Sequence, residues 1–216
     1  MNRLKIFLSY NSSDKLIAGN IKRQLEAYGV KVFLAHQDIK PTEEWHDRIL
    51  AELENADVFL PLLTDDFEKS KWTGQECGYA VAKRAFIISL KVTKYPPAFL
   101  SRKQAFKLRQ SNLPGSCRAI AKIVNNDARL RRRFLDGLIE AISNSESFED
   151  AKQKTSWLDE FEGYTRSQVN QVLRASVDNN QIWHSFGAQR NIDAFIHKYK
   201  TIADRRIVTK WRSLTR

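Results

Sequence analysis

The sequence predicts an α/β first half, a mostly parallel sheet flanked by helices, followed by a small helical unit. Three observations carry this. Short apolar runs rich in β-branched and aromatic residues alternate with amphipathic stretches through the first hundred residues, the pattern of βα units. After Ser111 the apolar period turns helical. The charge shifts as well: residues 1–100 hold 14 Lys+Arg against 13 Asp+Glu, and residues 101–216 hold 22 against 12.

The elements follow in order. Leu4–Ser9, Val30–Ala35, Val58–Leu63 and Phe86–Leu90 read as buried strands, too short for buried helices. A fifth strand is placed near Gln104–Leu108, after the turn-like Tyr95-Pro96-Pro97. Between strands, Lys15–Tyr28 sets Leu16, Ile17, Ile21 and Leu25 on one helical face, with Gly29 as its C-cap,. Glu43–Asn55 and Thr73–Arg84 are the next helices. Pro61 cannot donate to a ladder, so it is expected near the end of its strand,. Cys117–Val124 and Ala128–Ile142 read as helices. Beyond the polar break at Ser143–Phe148, Thr165-Arg-Ser-Gln168 fits a capping box and a further helix starts near Gly187,. Trp157, Phe161, Trp183 and Phe186 are candidates for a small core. The expected organisation is one domain over residues 1–142 and a helical extension of unassigned role over 149–216.

Composition excludes several classes. Apolar residues at 42% and charged residues at 28% fit a globular chain,, and no run is long enough to span a membrane. Two distant cysteines, Cys77 and Cys117, make neither a disulfide framework nor a metal knuckle, which points to a cytoplasmic setting. There is no GxGxxG, no GxxxxGK[ST], no HExxH and no GxSxG, so dinucleotide grips, P-loops, zincin sites and nucleophile elbows are not written here. No metal and no resident cofactor are expected.

In an open α/β sheet the site lies beyond the carboxyl ends of the strands, where strand order reverses. The loops 10–14, 36–44 and 64–76 therefore matter most. Five motifs on the strands and these loops occur in a telling order: Lys5-Ile-Phe-Leu-Ser-Tyr10, Gly29-Val-Lys-Val-Phe33, Asp38-Ile-Lys-Pro-Thr-Glu-Glu-Trp45, Ala56-Asp-Val-Phe-Leu60 and Trp72-Thr-Gly-Gln-Glu76. Together they resemble the TIR (Toll/interleukin-1 receptor) domain, most closely its bacterial, NAD-cleaving branch.

The resemblance implies a flavodoxin-like five-stranded parallel sheet. It also implies an NAD+ nucleosidase that releases nicotinamide and leaves ADP-ribose or a cyclic or modified form of it, in antiphage or immune defence. NAD+ is then substrate, not cofactor. The family's catalytic glutamate lies four residues after a tryptophan, a spacing matched by Trp72 and Glu76. Ser9, Tyr10, Asn11, Phe33, Asp38, Trp45 and Trp72 are the candidate substrate-binding residues. Loop 36–45 corresponds to the family's gating loop, with Thr42 in place of the familiar glycine after Pro41. Self-association through the TIR domain is implied, as is an effector that senses the nucleotide product.

Each residue also has a purely structural reading. Thr73-Gly-Gln-Glu76 is itself a capping-box pattern,. Ser9, Tyr10 and Asn11 fit strand-end and turn chemistry. Asp38 reads as a loop charge, and Asp14 suits the first turn of its helix. The run Arg129-Leu-Arg-Arg-Arg133 sits on a helix with an apolar stripe and no nucleic-acid motif, so no nucleic-acid partner is expected. The rival functions are a non-catalytic TIR adaptor acting by self-association, a nucleoside deoxyribosyltransferase and a basic nucleic-acid module.

Overall fold

The computed structural model describes residues 3–34, 45–97, 100 and 104–215. The chain divides into two compact units, one of residues 4–121 and one of Arg3 with the chain from Lys122 onward. The division falls inside a helix, whereas the sequence suggested a boundary near 142.

The first unit is a sheet covered by helices. Its strands are β1 (Lys5–Ser9), β2 (Lys31–Phe33), β3 (Val58–Leu63), β4 (Phe86–Ile87), β5 (Leu90–Lys91) and β6 (Phe106–Lys107). The order is β2-β1-β3-β5-β6, with β4 also on β3, and every pairing is parallel. Because β4 and β5 share one lane, these six stretches make the five-stranded parallel sheet that the sequence predicts.

Pro61 accounts for the split lane. It lies inside β3, fully buried and opposite Ser9, rather than near the strand's end. Ile88 N donates to Phe59 O at 3.1 Å, so Phe59 turns its backbone groups toward β4 and β5. Residue 61, two further on, faces the same way. Its missing N–H therefore falls where β4, paired to Val58 and Phe59, gives way to β5, paired to Leu62 and Leu63,.

The helices of this unit are α1 (Lys15–Glu26), α2 (Trp45–Asn55) and α3 (Lys71–Ala82). Helix α1 stops at Glu26 with Ala27 as its C-cap, not Gly29, which follows two residues later at φ 80° in the turn into β2,. Helix α2 starts within the expected segment, residues 43 and 44 lying outside the described ones. Helix α3 begins two residues before Thr73. On one sheet face Phe7, Phe33, Phe59 and Leu63 pack with Ile49 and Leu53 of α2 and with Cys77 and Ala80 of α3. Ile6, Leu8, Leu60 and Leu62 on the other face are equally buried, so the sheet is covered on both sides.

Helix α4 (Leu113–Asn126) spans the division. The second unit holds α5 (Arg131–Ser143), α6 (Phe148–Ser156), α7 (Arg166–Asp178), α8 (Asn180–Trp183), α9 (Phe186–Lys198) and α10 (Arg205–Leu214). The capping box at Thr165 and Gln168 forms as predicted. Trp157 and Phe161 are buried core residues, but Phe186 is 81% exposed. It occupies the first turn of α9, ahead of the stripe Ala188, Ile192, Phe195 and Ile196 that faces inward. Trp211 of α10 is fully buried instead. No described helix is long and apolar enough to cross a membrane.

Phe59, 1% exposed, stacks on Phe7 at 5.9 Å between centroids. Phe59→Ala is expected to destabilise the first unit by about 3–5 kcal/mol, read as a lower urea midpoint.

Candidate functional site

Strands β1 and β3 are neighbours, and the chain leaves them toward opposite edges, from β1 to β2 and from β3 to β4. Their carboxyl ends therefore flank the crevice where ligands bind in such sheets. Strand parity sets what reaches it. Phe7 and Ser9 point to the same face, the one covered by α2 and α3. Ser9, at the tip of β1, thereby meets Glu76 on α3.

Ser9 Oγ donates to Glu76 Oε2 at 2.5 Å, and the pair is buried. Glu76 is 5% exposed, and among the described residues no other Asp, Glu, Lys, Arg or His side chain is buried. Burial pushes its carboxyl from 4.5 up to about 7, with the Ser9 hydroxyl pulling the other way,. The capping-box reading does not hold. Ser70 is the N-cap of α3, and Thr73 Oγ1 donates to Phe67 O at 2.6 Å and Ser70 O at 2.9 Å. That leaves Glu76 more than a turn inside the helix, facing Ser9.

Trp72 lies one turn before Glu76 on the same helix face. It is half-buried, its ring 5.7 Å from that of His46 at the start of α2. The start of α2 therefore lies beside the Glu76 helix. Trp45 opens α2, its side chain outside the described residues, and Asp38 also lies outside them.

The other candidates are placed differently. Phe33 is buried in the sheet core, 5.3 Å from Phe7, with the Arg48 guanidinium 5.9 Å from its ring centroid. Tyr10 is 2% exposed. Asn11 caps the 3-10 turn Ser12–Asp14 by accepting from Ser13 N at 3.0 Å, and its amide donates to Asp66 O at 2.7 Å. Ser9 and Glu76 are thus brought together, with Trp72 one turn away on the same helix, while Phe33 belongs to the core and Asn11 to the loop framework.

That framework contains residues whose joining the sequence did not reveal. Ser13 Oγ donates to Asp66 Oδ2 at 3.0 Å and Thr64 Oγ1 to Asp14 Oδ2 at 2.6 Å. With Asn11, these bonds stitch the loop after β1 to the loop after β3 and hold the crevice walls in register. Asp14 thus serves a cross-loop bond rather than capping α1 with its side chain. The partners are about fifty residues apart, and no local pattern joins them.

Neither thiol is a nucleophile candidate. Cys77 and Cys117 are free and buried, and burial pushes both thiols up to about 12,. Among the described residues no group of His, Cys, Asp and Glu is arranged to hold a metal.

The family profile for the TIR domain matches residues 6–124. No curated protein sequence matches the chain significantly. Among solved structures, the TIR domain of the Toll-related receptor TRR-2 from Hydra magnipapillata aligns at 18% identity and a TM-score of 0.47, over 56% of this chain and 98% of that one. With the profile spanning the sheet, Ser9 and the Glu76 helix, the chain belongs to the TIR domain family.

Proposed function

We propose that the TIR unit is an NAD+ nucleosidase of the bacterial type, with Glu76 as its catalytic carboxylate. The observation that carries this is the burial of Glu76 at the switch point of the sheet. Holding an ionisable group there works against the fold. With its carboxyl raised from 4.5 to about 7, ionisation in the folded state costs about 3 kcal/mol. A group kept at that expense in a ligand crevice is a functional candidate.

The chemistry suits one carboxylate. Cleavage breaks the bond from ribose C1′ to the pyridinium nitrogen, and the electron pair neutralises the ring, so nicotinamide leaves without a general acid. Positive charge develops on the ribose, and an ionised Glu76 beside it stabilises that charge. Ser9 occupies Oε2, which leaves Oε1 for the substrate. Trp72, on the same helix face, is placed to stack on a ring of the dinucleotide. Water adding to C1′ with loss of a proton gives ADP-ribose; an adenine nitrogen adding there gives a cyclic product. By family resemblance such a product serves immune or antiphage signalling.

The adaptor reading has one observation in its favour. Leu16, on the first turn of α1, is 78% exposed, an apolar surface available to a neighbouring protomer.

The decisive experiment incubates concentrated, crowded protein with NAD+ and separates the products. Wild type should release nicotinamide, and Glu76→Gln should lose at least about a hundredfold in rate. No release from assembled wild type would favour the adaptor, and equal release from both proteins would remove Glu76 from the mechanism.

Two further outcomes follow from the raised carboxyl. The active form is the carboxylate, so the rate should climb as pH rises through about 7. Removing the Ser9 donor should move that limb about one unit or more higher, so Ser9→Ala loses rate at neutral pH and regains it in alkali. Stability runs the opposite way. A group raised on folding adds stability below its unfolded value of 4.5, and this is lost as pH rises to about 7,. Glu76→Gln should therefore unfold at higher temperature than wild type above pH 7, with the difference closing below pH 4.5.

A further inference from the structure

The second unit carries its charge unevenly. Several of its acidic residues are matched by cations: Glu140 with Arg3 at 2.6 Å, Asp127 with Arg129 at 2.9 Å, Glu160 with Lys122 at 3.3 Å and Asp150 with Lys154 at 2.7 Å. In the basic run at 129–133, Arg131 donates to Asn125 O at 2.9 Å and Arg133 to Arg3 O at 3.0 Å, while Arg132 is exposed. Helix α10 differs. Arg205, Arg206, Lys210 and Arg212 are exposed, and none has an ion-pair partner among the described residues. Three carboxylates lie near it: Asp178 lines a cavity with Lys210, and the other two accept neutral donors. Asp204 caps the helix by accepting from Arg206 N at 2.8 Å, and Asp193 accepts from the Trp211 indole at 2.8 Å.

The other face of α10 is used up. Trp211 is fully buried, Ile207, Val208 and Leu214 are half-buried, and Asp204 N donates to Asn170 of α7 at 2.9 Å, which holds the start of the helix in place. What remains outside is Arg205, Arg206, Thr209, Lys210, Arg212 and Ser213, cations and hydroxyls with no apolar side chain.

We infer, against the expectation drawn from the sequence, that this face of α10 docks on the phosphate backbone of duplex nucleic acid. The hydroxyls of Thr209 and Ser213 donate within the helix, to Arg205 O and Lys210 O, so the cations carry the contact. Arg and Lys bind phosphates, and four cations with no ion-pair partner among the described residues, on a helix about 15 Å long, match closely spaced backbone charges. The face lacks the aromatic and aliphatic anchors of a protein interface. It has no free apolar stripe to enter a bilayer and no exposed ring to stack on splayed bases. Backbone docking carries no sequence preference, so DNA and RNA duplexes should both bind.

The test measures anisotropy of labelled DNA and RNA duplexes against salt with the full chain. The double variants Arg205→Gln/Arg206→Gln and Lys210→Gln/Arg212→Gln keep helix propensity and leave Trp211 untouched. Each should weaken binding at least tenfold at about 50 mM salt and reduce the salt slope by about two. Lys107→Gln/Arg109→Gln, which removes equal charge elsewhere, should change neither. The inference is overturned if wild type shows no salt-dependent binding, if control and α10 variants lose binding equally, or if phosphatidylserine vesicles bind through α10 while duplexes do not. NAD+ cleavage plays no part in this readout.

Discussion

The site depends on one constraint of connectivity: two adjacent parallel strands whose chains depart toward opposite edges of the sheet. That divergence opens a gap above β1 and β3 which the sheet cannot fill, and each loop bordering it must be held from across the gap. The bonds from Asn11 and Ser13 to Asp66, and from Thr64 to Asp14, do this. They fix the frame in which Ser9 and Glu76 meet. Phe7 and Phe59 beneath are ordinary core, yet they set the level at which Ser9 emerges, because a strand alternates its side chains with a period of two.

The Ser9–Glu76 pair shows how a small donor tunes a buried acid. Desolvation alone would hold the carboxyl neutral near physiological pH, and one hydroxyl shifts the balance back toward the anion without adding a positive charge. An arginine or lysine there would keep the acid ionised but would cancel its negative field, which the proposed NAD+ cleavage would need. A neutral donor leaves the field at Oε1 negative.

Much of the fold was legible because parallel strands buried on both faces announce themselves as short, β-branched runs; VFLPLL at β3 is an instance. Glu76 was singled out by the family resemblance, through its spacing from Trp72, and its burial is what the structure adds. What escaped was whatever depends on distant partners. The capping pattern at Thr73 is locally plausible, but α3 starts earlier because Ser70, extended at φ −89° and ψ 122°, takes the N-cap. Phe33 looked available beside a loop, and only tertiary packing shows it under Arg48 and against Phe7. Trp183 and Phe186 were weighed equally with Trp157 and Phe161, since sequence does not say which turn of a short helix faces inward. Trp211, in a stretch dense with arginine, has a burial that composition conceals.

The gap left by Pro61 grades the sheet. The pairings of β1 with β2 and β3 are continuous, while β4, β5 and β6 are joined in steps of two residues. Local opening follows the weakest ladder. Amide protons of the outer lanes would therefore trade with solvent through small excursions that leave β1 and β3 closed. The strands that carry the crevice are insulated from the sheet's own breathing, which begins on the far side of a proline.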